Sequence, residues 1–119
     1  MPKIAVYGSL RVGEYNNRGI GDYIETTRIE GFKLMSYQRG PYPYAVEDPE
    51  SSIIVDLLEI SDEDKRWIDA MEVGAGYTIK SVNIDAEDYT IYVQDNPDEE
   101  LIEITNGDWT KRQEVEEYV

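Results

Sequence analysis

One stretch of this chain is punctuated as a helix at both ends, and strand-like segments flank it on either side. That arrangement limits the folds open to it. Ser61 offers the side-chain oxygen of an N-cap, and Asp62, Glu63 and Asp64 follow in the first turn, where negative charge suits the helix dipole. Trp67, Ile68 and Met71 recur at helical spacing and predict one inward face, while Gly74 and Gly76 stop the helix.

The flanking segments read differently. Lys3 to Tyr7 is a short apolar run ending at Gly8, a buried first strand followed by a turn. Residues 11–24 are loop-like, with room for a short helix. Thr26 to Tyr37 is β-branched and aromatic, and Gly31 inside it predicts a bend or bulge. Gly40-Pro41-Tyr42-Pro43-Tyr44 is no central strand, because its two prolines remove ladder donors. Ser52 to Ile60 is strand-like again. Tyr77 to Ile84 and Tyr89 to Val93 alternate about Asp85-Ala86-Glu87-Asp88, the pattern of a hairpin. Asn96-Pro97-Asp98 is a turn, and Asp108 to Tyr118 can form a terminal helix with Trp109, Val115 and Tyr118 inward. The expectation is an α+β domain spanning residues 1–119, its mixed, mostly antiparallel sheet curled into a small β-barrel with a few short helices.

Composition removes several chemistries. The 119 residues include no cysteine and no histidine, so there is no disulfide, thiol nucleophile, imidazole zinc ligand or histidine-based triad. Proton transfer near neutral pH then falls to a shifted carboxylate, lysine or tyrosine. A hard cation held by carboxylates stays open on these grounds. A net charge of −15 repels phosphate backbones and argues against nucleic-acid binding. The same field favours neutral or cationic small molecules over anionic ones. No apolar run reaches the ~18 residues of a membrane span, and the N-terminal stretch is too short for a signal peptide. The expected location is the cytoplasm.

Two short constellations can carry chemistry. Val6-Tyr7-Gly8-Ser9-Leu10 leaves the first strand through a glycine, where backbone N–H groups can converge on a carboxylate or oxyanion, although most such turns are only turns. Glu72 stands near the C-terminal end of the helix, between Met71 and Val73. The dipole there disfavours a carboxylate, and burial among apolar neighbours would raise its pKa further. A solvated surface glutamate is the plain competing reading, and local sequence leaves the two even.

Taken together, these segments resemble the gamma-glutamylcyclotransferase-like superfamily, including gamma-glutamylamine cyclotransferases. Tyr7-Gly8-Ser9-Leu10 is similar to its Tyr-Gly-Ser/Thr-Leu motif. Ile68-Asp69-Ala70-Met71-Glu72 through Tyr77 is similar to its helix end with a glutamate followed by a tyrosine. Tyr42-Pro43 resembles an aromatic-proline pair of the family, and Leu57-Leu58-Glu59-Ile60 its strand entering the helix. The likeness runs over residues 4–94. Val73 stands where a glycine is usual, Val55 where a strand glycine is common, and Ile79 where an arginine is frequent. These departures bear on substrate preference more than on the reaction.

The resemblance implies an enzyme that cyclises a gamma-glutamyl amine or amide to 5-oxoproline and releases the amine. It implies Glu72 as general acid and base, Gly8, Ser9 and Leu10 as the anion-holding loop, and Tyr7 and Tyr77 as pocket walls with hydroxyls free to orient substrate. The partner is a small gamma-glutamyl compound, and neither a metal nor an organic cofactor is implied. Arg11 and Arg18 are candidate contacts for an anionic group. Trp67 and Trp109 read as core anchors, and Lys65 as a surface partner of nearby acids. A non-catalytic binding module on the same scaffold is the rival reading. So is a hydrolase using Glu72 to activate water, which would release free glutamate instead of 5-oxoproline.

Overall fold

In a computed structural model that describes all 119 residues, the elements follow the order β1 (Lys3–Val6), β2 (Asp22–Ser36), β3 (Tyr44–Glu59), α1 (Asp62–Gly74), β4 (Thr78–Ile84), β5 (Glu87–Val93) and β6 (Ile102–Glu103). A 3-10 segment, Trp109–Glu114, closes the chain. The strands form one mixed sheet in the order β4-β5-β1-β3-β2-β6. Most pairings are antiparallel; β1 and β3 each also meet β5 in parallel, at Ile4–Thr90 and Ala45–Val93.

That double pairing shapes the molecule. β1 is only four residues long and lies between β3 and β5. Where β1 ends, β3 and β5 close on each other, and the sheet curls into a half-barrel. The loop leaving β1 must therefore turn out through the point of closure. Alternation along β1 divides the core: Ala5 faces the barrel interior with Leu34, Ile53, Val55 and Ile91, while Ile4 and Val6 face a smaller cluster with Leu58, Ile60 and Ile68 of α1.

The longest strands depart from expectation in an instructive way. β3 begins at Tyr44, well before Ser52, and contains Pro49. The β2–β3 register jumps from Glu30–Ser52 to Phe32–Glu47, leaving residues 48–51 and Gly31 (φ +95°) outside the ladder. Pro49 thus falls where no donor is required. Asp48 accepts the Glu50 N–H (2.9 Å) and the Ser51 hydroxyl (3.1 Å), which pins the bulge. The β4–β5 connection is tighter than expected. Asp85 and Ala86 alone form it, both at positive φ as a type I′ turn requires, and Glu87 and Asp88 join the strand.

Helix α1 is capped by Ser61, whose Oγ accepts the Asp64 N–H at 3.1 Å. Of the three residues read as its inward face, only Ile68 is buried. Trp67 and Met71 are 43% and 39% exposed, because their side of the helix borders clefts rather than core. Trp67 is therefore no core anchor, whereas Trp109, Val115 and Tyr118 are all buried beneath the barrel. No helix is long and apolar enough to cross a membrane.

Candidate active site

A cavity of about 420 Å³ opens where β1 ends, and it gathers the residues that the sequence singled out. Tyr7, Gly8, Ser9 and Leu10 line it from the loop, Glu72 and Met71 from α1, and Tyr77 from the chain just beyond the helix. Tyr42, Pro43 and Tyr44 form another wall, and Tyr92 of β5 and Asn16 complete it. Glu72 is the only carboxylate in this lining, and no cationic side chain contributes.

The loop is built to leave donors free. Gly8 C=O accepts the Arg11 N–H at 2.9 Å, so Ser9 and Leu10 occupy the centre of a tight turn. The N–H groups of Gly8, Ser9 and Leu10 donate to no other group of the chain, which leaves them available to an anion. Asn16 fixes Ser9 twice, through Nδ2 to Oγ (2.9 Å) and N–H to C=O (3.1 Å). Asn17, buried, donates from Nδ2 to the Leu10 carbonyl at 2.7 Å. The glycine at position 8 has a steric reason as well. A Cβ there would stand 2.6 Å from Cγ of Pro43, so the Tyr42-Pro43 wall can close only against a bare Cα.

Glu72 is positioned by the way its helix stops. Gly76 adopts φ +96°, the Gly76 N–H donates to the Val73 carbonyl (3.0 Å), and the Tyr77 N–H donates to that of Glu72 (3.0 Å). This is a Schellman ending, and it ties the backbones of Glu72 and Tyr77 directly together. Their side chains therefore reach the cavity in a fixed relation. Burial of the carboxyl raises the Glu72 pKa to about 7. The exposed neighbours Met71 and Val73 contribute less shelter than the sequence implied; the cavity wall supplies it.

The tyrosines differ from expectation. Tyr7 lines the cavity, but its hydroxyl donates to the Tyr92 carbonyl and accepts the Ala45 N–H at 3.2 Å. It spans the closure of β3 on β5. Tyr77 likewise donates to the Pro43 carbonyl at 2.7 Å and stacks on Tyr44, with ring centres 5.4 Å apart. Both hydroxyls serve the wall rather than standing free for substrate. Burial is the main reason Tyr7, Tyr77 and Tyr92 all resist ionisation, and the nearby Glu72 charge adds to it. Tyr92 was not picked out from sequence. Its phase in β5, opposite to Tyr89, Ile91 and Val93, was the available sign that it faces the helix, where it donates to Asp69 at 2.6 Å. Asp69 is held in turn by Lys65, at 2.7 Å.

The two arginines part company. Arg11 is buried, with Nη1 2.8 Å from Asp108 and Nε 3.3 Å from Asp56. The Nε–H is poorly aligned for a hydrogen bond, so the second contact is an ion pair only. Asp56, 2% exposed, also takes the Val12 N–H (2.9 Å) and the Thr26 hydroxyl (2.6 Å). Arg11 is thus a bolt behind the loop and not a substrate contact. Arg18 does not line this cavity; it borders a neighbouring cleft. No cluster of three or more carboxylates converges on a point that would hold a metal ion.

Known proteins share this arrangement at the level of fold. The chain is similar to an uncharacterised protein from Pyrococcus horikoshii, with 25% identity, 95% of this chain and 93% of that one covered, and a TM-score of 0.79. It is similar to the Escherichia coli protein ytfP, with 26% identity, 93% and 98% coverage, and a TM-score of 0.73. An AIG2-like protein from Mus musculus shares the fold at 19% identity, with 84% and 81% coverage and a TM-score of 0.66. No curated protein matches. The family model for gamma-glutamyl cyclotransferase, AIG2-like, matches residues 4–111 and so includes both the loop and Glu72. The chain belongs to the AIG2-like gamma-glutamyl cyclotransferase family.

Proposed function

We propose that the protein cyclises a gamma-glutamyl amine or amide, yielding 5-oxoproline and the free amine, with Glu72 carrying the proton. One observation bears most of the weight: a sheltered carboxyl with a pKa of about 7 shares a cavity with three unpartnered N–H groups. In such a cyclisation the substrate's own α-amino nitrogen attacks its γ-carbonyl carbon. The new C–N bond forms as the old amide C–N bond breaks, and no water is consumed. The nucleophile and the electrophile arrive in one molecule, so the protein must fold the substrate, move one proton and stabilise one charge. Ionised Glu72 takes the proton from the attacking amine and returns it to the departing nitrogen. The Gly8, Ser9 and Leu10 amides hold the substrate's carboxylate or the developing oxyanion.

The test is a panel of gamma-glutamyl amines, gamma-glutamyl dipeptides and glutathione, scored for 5-oxoproline and for free glutamate. Accumulation of 5-oxoproline supports the reading. Free glutamate instead would make the protein a hydrolase, and tight binding without product would make it a binding module. The pH profile adds a second expectation. Ionised Glu72 is the active base, so kcat/KM should rise with pH through about 7 rather than near the ordinary carboxyl value of 4.5. Activity already at its plateau by pH 5.5 would assign the proton transfer elsewhere.

A further inference from the structure

Helix α1 carries Glu72 but has little to hold it in one orientation. Of its 13 residues only Ile68 is buried. Its other side-chain contacts are mostly its own: Trp67 donates to Asp64 at 3.1 Å, and Lys65 pairs with Asp69 one turn on. A single side-chain hydrogen bond joins the helix to the sheet, from the Tyr92 hydroxyl of β5 to Oδ1 of Asp69 at 2.6 Å. Apolar packing at Ile68 is non-directional and leaves the helix free to roll about its axis, whereas a hydrogen bond fixes direction.

Both partners of that bond are themselves fixed. Tyr92 is 3% exposed, and its carbonyl takes the Tyr7 hydroxyl, so it is tied to the residue that precedes the Gly8–Leu10 loop. Its main chain thus serves the loop and its side chain serves the helix. On the other side, Lys65 Nζ lies 2.8 and 2.7 Å from the two Asp69 oxygens and sets the acceptor. Asp69 precedes Glu72 by three residues, and residues so spaced share a helix face. Tyr92 and Glu72 line the same cavity.

We propose that Asp69 is the positioning residue for Glu72: by accepting the Tyr92 hydroxyl it sets the roll of α1 against β5, and with it the placement of the Glu72 carboxyl opposite the loop amides. The inference rests on the reading of Glu72 as the proton carrier of a cyclotransferase. Lys65 has a part in it. A second carboxylate on the face of Glu72 would repel its ionised form, and the ammonium of Lys65 offsets that charge. Burial alone accounts for the raised Glu72 pKa, as this pairing requires. The other ionisable side chains of the cavity are Tyr7, Tyr42, Tyr44, Tyr77 and Tyr92, with no cation among them. Shelter from water therefore governs the titration of Glu72, and a helix that rolls loses that shelter.

Titration of the Glu72 carboxyl carbon by NMR reads its placement without any substrate. The midpoint should fall from about 7 toward 4.5 in Asp69→Ala, by at least about one pH unit. Tyr92→Phe, which removes the donor and keeps the ring in the wall, should do the same. Asp69→Asn keeps an acceptor for the phenol and should stay near the wild-type midpoint. With a compound that yields 5-oxoproline, kcat of Asp69→Ala should fall about tenfold or more while KM stays within about twofold, because misplacement costs the chemical step. The double variant Asp69→Ala, Tyr92→Phe should be no slower than either single one, since both break one bond. A Glu72 midpoint unmoved in both single variants, or losses that multiply in the double, overturns the positioning role and leaves the cyclotransferase reading intact. Midpoints that shift as expected in a protein that makes no 5-oxoproline from any compound of the panel overturn the cyclotransferase reading and leave Asp69 as what places Glu72.

Discussion

Glu72→Gln should lower turnover of a cognate gamma-glutamyl compound by at least about 10²-fold, with a much smaller change in substrate affinity. The amide keeps the size and shape of the acid and removes only the proton carrier. No other carboxylate, lysine or histidine lines the cavity to replace it, and burial makes Tyr7, Tyr77 and Tyr92 resist ionisation. Ground-state contacts with the loop amides survive the change. Single-turnover kinetics with the variant measure the effect directly, and near-wild-type rates would remove Glu72 from the mechanism. The same variant carries a stability signature of opposite sign. With a folded pKa of about 7 against an ordinary 4.5, the folded protein binds more protons than the unfolded chain between those values. Stability therefore falls as pH rises across that window and stays lowered above it. Glutamine abolishes the effect. Glu72→Gln should match the wild type at pH 4 and exceed it by about 1–2 kcal/mol above pH 7, after allowance for the part of the side chain still in water.

The second large effect concerns Arg11. Arg11→Ala leaves Asp56 buried without its guanidinium partner, with the Val12 N–H and the Thr26 hydroxyl as its remaining partners. It also releases Asp108: burial pushes its pKa up, but the Thr110 hydroxyl and Arg11 together outweigh this and hold it below the usual carboxyl range. Loss of one member of a buried ion pair typically destabilises by about 3–5 kcal/mol. Urea unfolding of Arg11→Ala should show a loss of about 3 kcal/mol, and the double variant Arg11→Met, Asp56→Asn should recover most of it. A loss under about 1 kcal/mol in the single variant would mean that water screens the pair. Because Val12 and Arg11 adjoin the Ser9–Leu10 turn, part of the deficit should also appear as poorer substrate binding.

The helix was legible because its signals are local: Ser61, the acids after it and Gly76 each act within a few residues. The hairpin at Asp85–Ala86 was legible for the same reason. The strand limits of β3 were not, since Pro49 suits a strand only because the register slips beside Gly31, a fact about two chains of sequence at once. The candidate site divides along the same line. Tyr7, Gly8 and Glu72 stand in short motifs, and the structure brings them to one cavity. The work of the Tyr7 and Tyr77 hydroxyls was hidden, because their partners, Tyr92, Ala45 and Pro43, lie more than thirty residues away. Arg11 and Arg18, a few residues apart and alike in type, could be told apart only by what surrounds them. Asp56 and Asp108 claim one and nothing claims the other.

Helix α1 is attached lightly for an element with so much to do. Ile68 is its one buried side chain, and Tyr92 reaches it through Asp69; the barrel interior receives none of its residues. Opening free energy is not uniform in a folded protein, and it is lowest where buried apolar contact is least. The helix should therefore open at a lower free energy than the sheet built from β2, β3 and β5, which hydrogen exchange of its amides would show. Such opening withdraws Glu72 and Met71 and pulls on Tyr77, which the Pro43 carbonyl and the Tyr44 ring hold to the opposite wall. The fraction of molecules that is folded and the fraction that is competent are then two different populations, and a bound ligand that touches both the loop and the helix holds the second up to the first.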